Sequence, residues 1–119
     1  MISLTEIGYS GPARPIDGYG PGFFRVGGQV LRGAVVVAPD GARGWGGLGD
    51  LAALLALGGQ IDVLLLGTGR VIAHADPALR QALENAGIGV EAMDSPAAAR
   101  SYNICLSEGR RIAAALLPV

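Results

Sequence analysis

The fold is decided by the stretch Ile61-Asp62-Val63-Leu64-Leu65-Leu66-Gly67-Thr68-Gly69. Its first six residues are almost all apolar, and glycines stand on both sides of them. A strand that is covered by other elements on both faces has this pattern, because each of its sides faces a core. The sequence therefore predicts a buried strand over residues 61–66 that lies in a parallel sheet.

Helix and strand signals alternate around this run. Asp76-Pro77 and Ser95-Pro96 are typical helix starts, since the polar side chain caps the first turn and proline suits the first helical position. A third helix is predicted over Leu51–Leu57, with Asp50 as its cap and Gly58 at its end. Strands are predicted over residues 88–91 and 110–117. The order α-β-α-β-α-β predicts a largely parallel sheet with helices packed on it.

The first half of the chain has a different pattern. Residues 1–15 form a segment rich in glycine and proline, which favour turns. Three short runs of aromatic and β-branched residues follow, at Phe23–Val26, Gln29–Leu31 and Ala34–Val37, and Gly27-Gly28 suits a tight hairpin between the first two. We predict an antiparallel meander here, and a single compact α/β domain over residues 16–119.

The composition excludes several classes of protein. The chain has 119 residues, a net charge of −1, one histidine, one cysteine and no lysine. One cysteine makes no intramolecular disulfide, and one cysteine with one histidine does not build a Cys/His zinc site. A phosphate-binding loop of the Walker type needs a lysine. A net charge near zero argues against nucleic-acid binding, and no cofactor or metal is predicted.

Membrane insertion is not predicted. The N-terminal residues Met1–Glu6 lack the basic and apolar regions of a targeting segment, and the apolar runs are far shorter than the roughly 20 residues that span a bilayer. We therefore expect a cytoplasmic protein without a transmembrane segment. Peripheral association with a membrane complex stays open.

A first candidate site is the Gly67-Thr68-Gly69 turn. It follows the buried strand, at the end where open α/β sheets bind ligands. The dinucleotide-binding fingerprint is incomplete, because Ile72 stands where that pattern needs a third glycine. The turn is therefore either a structural turn or a contact with a ligand or partner.

A second candidate site lies around the predicted helix after Pro96. Met93 and Asp94 precede this helix, and either Asp94 or Ser95 is its cap. Arg100 and Asn103 share one helical face, which is either solvated or part of a site. Beyond the helix, Glu108 and Arg110 can pair with each other or with Arg100. With lysine absent, an anion site is expected at Arg100 or Arg110.

Several strings of this sequence, in this order and spacing, resemble the family of mitochondrial complex I assembly factor three and its bacterial and archaeal relatives. They are Asp62–Gly69, Gly87–Ala98, Arg100–Asn103 and Glu108–Pro118. The resemblance implies a three-layer α/β domain with a central mixed sheet. For the eukaryotic relatives it implies a non-catalytic role in building the respiratory NADH dehydrogenase, and for the bacterial relatives it implies no settled activity. Since no organelle-targeting segment is predicted, the chain looks like a bacterial member.

Two hypotheses follow. The first is a protein-interaction or assembly-accessory module without catalytic residues, whose exposed patch includes Trp45 unless that side chain packs in the core. The second is a small-molecule-binding or enzymatic domain with an anion site near Gly67–Gly69 and Arg100. In that site Thr68 and Asn103 would orient the ligand, and Asp94 would act as a base if its pKa were raised. The candidate binding residues are Gly67, Thr68, Gly69, Met93, Asp94, Arg100, Asn103, Glu108 and Arg110.

Overall fold

The computed structural model describes residues 11–119. Two parts of the chain used in the sequence analysis lie outside the described residues. They are Met1–Glu6, from which the absence of a targeting segment is predicted, and most of the glycine- and proline-rich segment. The division between residues 15 and 16 stays a prediction. Within the described part, a three-stranded antiparallel sheet precedes a five-stranded mixed sheet. None of the described helices has the length and apolar composition that crossing a membrane requires.

The first sheet has the strand order β1-β2-β3, and the second has the order β5-β4-β8-β6-β7. The strands are β1 (Ile16–Gly20), β2 (Phe23–Val26), β3 (Gln29–Arg32), β4 (Val35–Ala38), β5 (Gly41–Gly44), β6 (Val63–Gly67), β7 (Gly89–Met93) and β8 (Ile112–Leu116). The helices are α1 (Leu51–Leu55), α2 (Pro77–Asn85) and α3 (Ser95–Ser107).

Strand β6 lies inside the mixed sheet, between β8 and the edge strand β7. It runs parallel to both of its neighbours, β7 and β8, while β4 pairs with β8 in the antiparallel direction. Its residues Leu64, Leu65 and Leu66 are all buried. The predicted buried strand is confirmed, over Val63–Gly67 instead of residues 61–66, and its sheet is mixed, as the family resemblance implies, and not largely parallel.

Two cores lie on opposite faces of this sheet, which makes the predicted three layers. Leu64 and Leu66 pack with Leu54 of α1 and Leu79 of α2. Leu65 packs on the other face, in the core that α3 and the three-stranded meander cover. Helix α2 therefore lies on one face of the sheet and α3 on the other.

The hairpin predicted at Gly27-Gly28 is present, and both glycines have positive φ, at 57° and 83°. The meander has three strands, as predicted, but the run at Ala34–Val37 belongs to the other sheet as β4, and β1 takes its place in the meander. All four residues of β4 are buried, so this strand has a core on each side. The turn at Pro39-Asp40 then leads to β5, which the sequence did not predict, since it contains no β-branched residue.

Helix α1 ends earlier than predicted, at Leu55 instead of Leu57, and Ala56 is its C-cap. Gly58 was expected to end the helix, but the left-handed residue is Gly59, with φ of 83°. The predicted caps at the N-terminal ends of α1 and α2 are present: the Asp50 side chain accepts from the Ala53 N–H, and that of Asp76 from Ala78 N–H.

Asn103 fastens the meander to α3. Its side-chain Oδ1 accepts from the Ile16 N–H, and its Nδ2 donates to the Ile16 carbonyl, both at 2.8 Å. The amide thus satisfies both backbone groups of the first residue of β1, as a neighbouring strand would. This explains a helix-disfavouring residue in the interior of α3.

We predict that Asn103→Ala lowers the free energy of unfolding by about 1–3 kcal/mol, because it leaves two backbone groups of buried Ile16 without their side-chain partner. Urea unfolding measures the change. The matched control is Ser107→Ala, since Ser107 is exposed and its hydroxyl bonds only within the helix, to Ile104 O. Equal effects of the two substitutions would contradict the role of Asn103.

Tyr102 lies in the core between α3 and the meander, with no exposed surface. Its hydroxyl has no hydrogen-bond partner among residues 11–119. Burial disfavours the charged phenolate and raises the pKa of Tyr102 to about 12. Tyrosine ionises near pH 10 in an unfolded chain. Above that pH the unfolded chain therefore loses a proton that the folded protein keeps on Tyr102.

Stability should therefore fall as the pH rises from 10 towards 12, since only the unfolded state ionises there. Relative to Tyr102→Phe, we predict that the wild type loses about 1 kcal/mol of unfolding free energy between pH 9 and pH 11. Urea unfolding of both proteins at the two pH values tests this. Parallel pH profiles of the two proteins would show that Tyr102 ionises equally easily when folded.

Candidate functional site

The Gly67-Thr68-Gly69 turn lies where β6 ends, next to the end of β7. The chain leaves β6 towards α2 on one face of the sheet, and it leaves β7 towards α3 on the other face. Adjacent strands that lead to opposite faces leave a crevice between them, and open α/β sheets bind ligands in such crevices. The turn thus lies at the kind of place where the sequence analysis expects a candidate site, and its role as a site stays a prediction.

Hydrogen bonds within the chain close this crevice. Thr68 N–H donates to Met93 O at 2.9 Å, and Ser95 N–H donates to Gly69 O at 2.7 Å. Gly69 N–H donates in return to the Ser95 hydroxyl at 2.8 Å. The backbone N–H groups of Thr68 and Gly69, which an anion would need, are therefore already engaged.

The Ser95 hydroxyl joins three segments of the chain. It accepts from Gly69, belongs to the first residue of α3, and donates to Leu117 O at 2.7 Å. Ser95 is fully buried, so its hydroxyl has no access to water and depends on these two hydrogen bonds. The ends of β6, β7 and β8 are held together through this one side chain.

The role of Ser95 was missed from the sequence, which treated it as a possible helix cap. Asp94 is the cap: its carboxylate accepts from Ala97 N–H at 2.8 Å. A helix has one N-cap residue, so a second polar residue between that cap and the proline is free for another bond. The two adjacent polar residues before Pro96, Asp94 and Ser95, are the signal that could have identified the role of Ser95.

The structure brings five of the predicted site residues together and leaves four apart. Gly67, Thr68, Gly69, Met93 and Asp94 meet at the crevice. The remaining ones are Arg100, Asn103, Glu108 and Arg110, all further along α3 or beyond it. Along a helix, the nine residue steps from Asp94 to Asn103 span about 14 Å. A joint role of all nine as one binding site stays a prediction.

The four remaining residues have different surroundings. Arg100 is exposed, and the Asn103 amide is occupied by Ile16. Glu108 and Arg110 are exposed and form no ion pair among the described residues, which corrects the expected pairing of Glu108 with Arg110 or Arg100. Arg110 Nη1 lies 3.8 Å from the Cys105 sulfur instead.

Thr68 shapes the loop that follows the turn. Its hydroxyl donates to Val71 O at 2.8 Å and accepts from Ala73 N–H at 2.9 Å. This loop carries two strongly exposed apolar residues, Val71 at 71% and Ile72 at 61%. We call residues 70–73 the Thr68 loop. Its apolar side chains are presented to solvent by a backbone that side-chain hydrogen bonds hold in place.

A pocket lies beside this loop, between the ends of β6 and β8 and the start of α2. Its volume is about 170 Å³. We call it the Thr68 pocket; it is lined by Leu48, Leu66, Thr68, Ala73, His74, Ala75, Asp76, Leu79 and Leu117. Leu48 is the most exposed of the leucines that line the pocket, at 51%.

Trp45 does not belong to this exposed surface. Its side chain is buried in the core beneath α1, and its Nε1 donates to Asp50 O at 3.0 Å.

Among residues 11–119, no three His, Cys, Asp or Glu side chains are grouped so that they could hold a metal ion.

Gly67 is required by the close approach of α3. A Cβ at this position would lie 2.9 Å from the Ser95 Cα and 2.8 Å from its hydroxyl, closer than such atoms pack. The loss of glycine here would push α3 away from the end of β6.

We predict that Gly67→Ala lowers the free energy of unfolding by about 1–3 kcal/mol, the usual cost of overpacking. The matched control is Gly49→Ala, because a Cβ at Gly49 has nothing within 4 Å and its φ is not positive. Thermal or urea unfolding measures both. If the two variants are equally stable, the packing of Ser95 against Gly67 is looser than described.

Fold and site together define a small three-layer α/β domain whose strand-end crevice is closed and whose exposed apolar loop lies beside a pocket. A family model described as "Protein of unknown function (DUF498/DUF598)" matches residues 16–117. The chain belongs to this family.

Two relatives show how far the similarity extends. An uncharacterised protein of Rhodobacter capsulatus is 54% identical over 118 residues, covering 99% of this chain and 94% of that protein. The NADH dehydrogenase [ubiquinone] 1 alpha subcomplex assembly factor 3 of Danio rerio is 33% identical over 110 residues, covering 87% of this chain and 63% of the fish protein. The predicted resemblance to the complex I assembly factor family is confirmed.

Solved structures share the fold. The crystal structure of an outer membrane protein from Bartonella henselae has a TM-score of 0.84 and 35% identity, covering 91% of this chain and 97% of that one. A solution structure from Bordetella pertussis, called an Mth938-like domain, has a TM-score of 0.74 and 32% identity, covering 88% and 85%. The predicted fold class is confirmed.

Proposed function

We propose that this chain is a non-catalytic accessory protein that binds another protein during assembly of a membrane-bound NADH dehydrogenase. The observation that carries the proposal is the Thr68 loop, which exposes Val71 and Ile72 beside an apolar pocket. Exposing two β-branched side chains on neighbouring residues is unfavourable unless a partner covers them.

The hydrogen bonds of the loop support a binding role. Thr68 fixes the loop through Val71 and Ala73, and Ser95 fixes the turn through Gly69. A loop that is already held in its binding conformation loses less entropy when a partner binds. Contiguous apolar surface on a protein of this size is a common mark of an interface.

The names of the relatives support the process in which we propose that this chain acts. The fish relative is named as an assembly factor of NADH dehydrogenase, and it aligns with 87% of this chain. The chain spans only 63% of that relative, so the assembly role is proposed here for the shared domain alone. Peripheral association with the membrane enzyme would follow from binding one of its subunits.

The alternative function, a small-molecule-binding or enzymatic domain with an anion site at Gly67–Gly69 and Arg100, has less support. Two of the backbone N–H groups that would bind the anion already donate within the chain. The Asp94 carboxylate occupies the first turn of α3, and its negative charge would repel an anion there.

Complementation tests the proposal. In Rhodobacter capsulatus, we predict that deleting the gene of the 54%-identical relative lowers the amount of assembled NADH dehydrogenase on native gels, and that this chain restores it. Val71→Ser with Ile72→Ser should restore less than half as much, because the partner loses its apolar contact. NADH:quinone oxidoreductase activity of the membranes provides a second measurement.

The matched control is Val30→Ser on β3, since Val30 is also an exposed β-branched residue, at 49%, but belongs to the meander. It should restore assembly fully. Unfolding midpoints of all variants establish that they are equally folded. Normal assembly in the deletion strain, or equal loss with the loop and control variants, would contradict the proposal.

A further inference from the structure

We infer that the Thr68 pocket takes one apolar side chain of the partner protein, from a segment that carries a basic residue next to that side chain. The inference rests on the proposed function, since it names the chemistry of the partner at the same surface. It is argued from the size, lining and charge of the pocket.

The size fits a single side chain. The volume is about 170 Å³. An apolar cavity of about 150 Å³ holds one benzene molecule, whereas sites for drug-sized ligands and cofactors measure about 300–1,000 Å³. A leucine, methionine or phenylalanine side chain therefore fits, and a nucleotide does not.

The lining favours an apolar occupant. The inner wall is formed by Leu66 and Leu79, which are buried and belong to the core under α2. The outer wall includes Leu48 and Leu117, and the polar hydroxyl of Thr68 is already engaged by the loop backbone. Apolar surface that enters the pocket thus leaves water, and the Thr68 hydroxyl keeps its hydrogen-bond partners.

The charge at the pocket selects a basic neighbour. The ionisable residues that line it are His74 and Asp76, and no arginine lines it. Asp76 is exposed, and among residues 11–119 its carboxylate forms no ion pair and accepts only the long 3.5 Å bond from Ala78 N–H. The carboxylate is therefore available to a lysine or arginine beside the anchoring side chain.

The Thr68 loop extends the contact. Ala73 and His74 line the pocket, and Val71 and Ile72 directly precede them in the chain. A segment that places its anchor in the pocket therefore reaches the exposed side chains of the loop as well. Anchor, basic neighbour and flanking apolar contact together describe the partner segment.

Peptide titrations followed by residue-specific NMR shifts test this inference. The probe is the acetylated tetrapeptide amide Gly-Leu-Arg-Gly, compared with Gly-Ala-Arg-Gly and Gly-Leu-Glu-Gly. We expect shifts at Leu66, Ala75 and Leu117. Affinity should be about tenfold lower for the alanine peptide, which buries less apolar surface. It should be about two- to fivefold lower for the glutamate peptide, which loses the exposed ion pair.

Two variants separate the two parts of the recognition. Ala75→Leu places additional atoms in the pocket and should abolish binding of the leucine peptides. Asp76→Asn keeps a good N-cap for α2 but removes the charge, so it should erase the preference for arginine over glutamate while leucine binding remains. Glu84→Gln, an equal charge change at an exposed position of α2, should leave that preference intact.

Other outcomes would overturn the inference. Equal affinities of the three peptides, or shifts away from the pocket, would show that it does not select this segment. Binding of n-butanol as tightly as the leucine peptide would indicate a small-molecule site. Self-association that Ala75→Leu abolishes in sedimentation would make a second copy the occupant.

The two proposals fail separately. Selective peptide binding together with normal assembly in the deletion strain would leave the pocket assignment standing and remove the assembly role. Impaired assembly together with equal affinities for the three peptides would leave the assembly role standing and remove the pocket assignment. Measuring Ala75→Leu in the complementation assay then shows whether the pocket is used in the cell.

Discussion

The buried hydroxyl of Ser95 is the contact that holds together the strand ends around the candidate site. It accepts from Gly69 N–H and donates to Leu117 O, so it links the ends of β6 and β8 to the start of α3. Water does not reach these groups, and an unpaired buried polar group costs about 1–3 kcal/mol. The absence of a side chain at Gly67 lets α3 come close enough for both bonds.

This closure changes the character of a common α/β site. In many open sheets the crevice at a strand end receives a ligand, and glycines leave backbone N–H groups free for it. Here the crevice is filled by the bonds of the chain itself. The neighbouring Thr68 loop and Thr68 pocket carry exposed apolar surface, so the proposed interaction with a partner lies to one side of the crevice. The fold is kept, while the site differs.

Much of the fold was predictable because its signals are local. The apolar run of β6, the Asp-Pro start of α2 and the Gly27-Gly28 hairpin each depend on neighbouring residues. The place of β4 in the five-stranded mixed sheet was not predictable, because its pairing with β8 joins residues about 80 positions apart. The site was predicted in part: Gly67–Gly69 lie at the crevice, but the use of Asn103 by Ile16 depends on a distant backbone.

The sequence by itself determined the fold class, the buried strand that ends at the Gly67-Thr68-Gly69 turn, and the exclusion of lysine-dependent and Cys/His zinc chemistry. Composition and periodicity suffice for these, since they do not depend on which distant segments touch. Only the tertiary structure decided that Ser95 closes the crevice, that Asn103 fastens the meander, and that the Thr68 loop exposes Val71 and Ile72. Burial and hydrogen-bond pairing between distant segments exist only once the chain has folded.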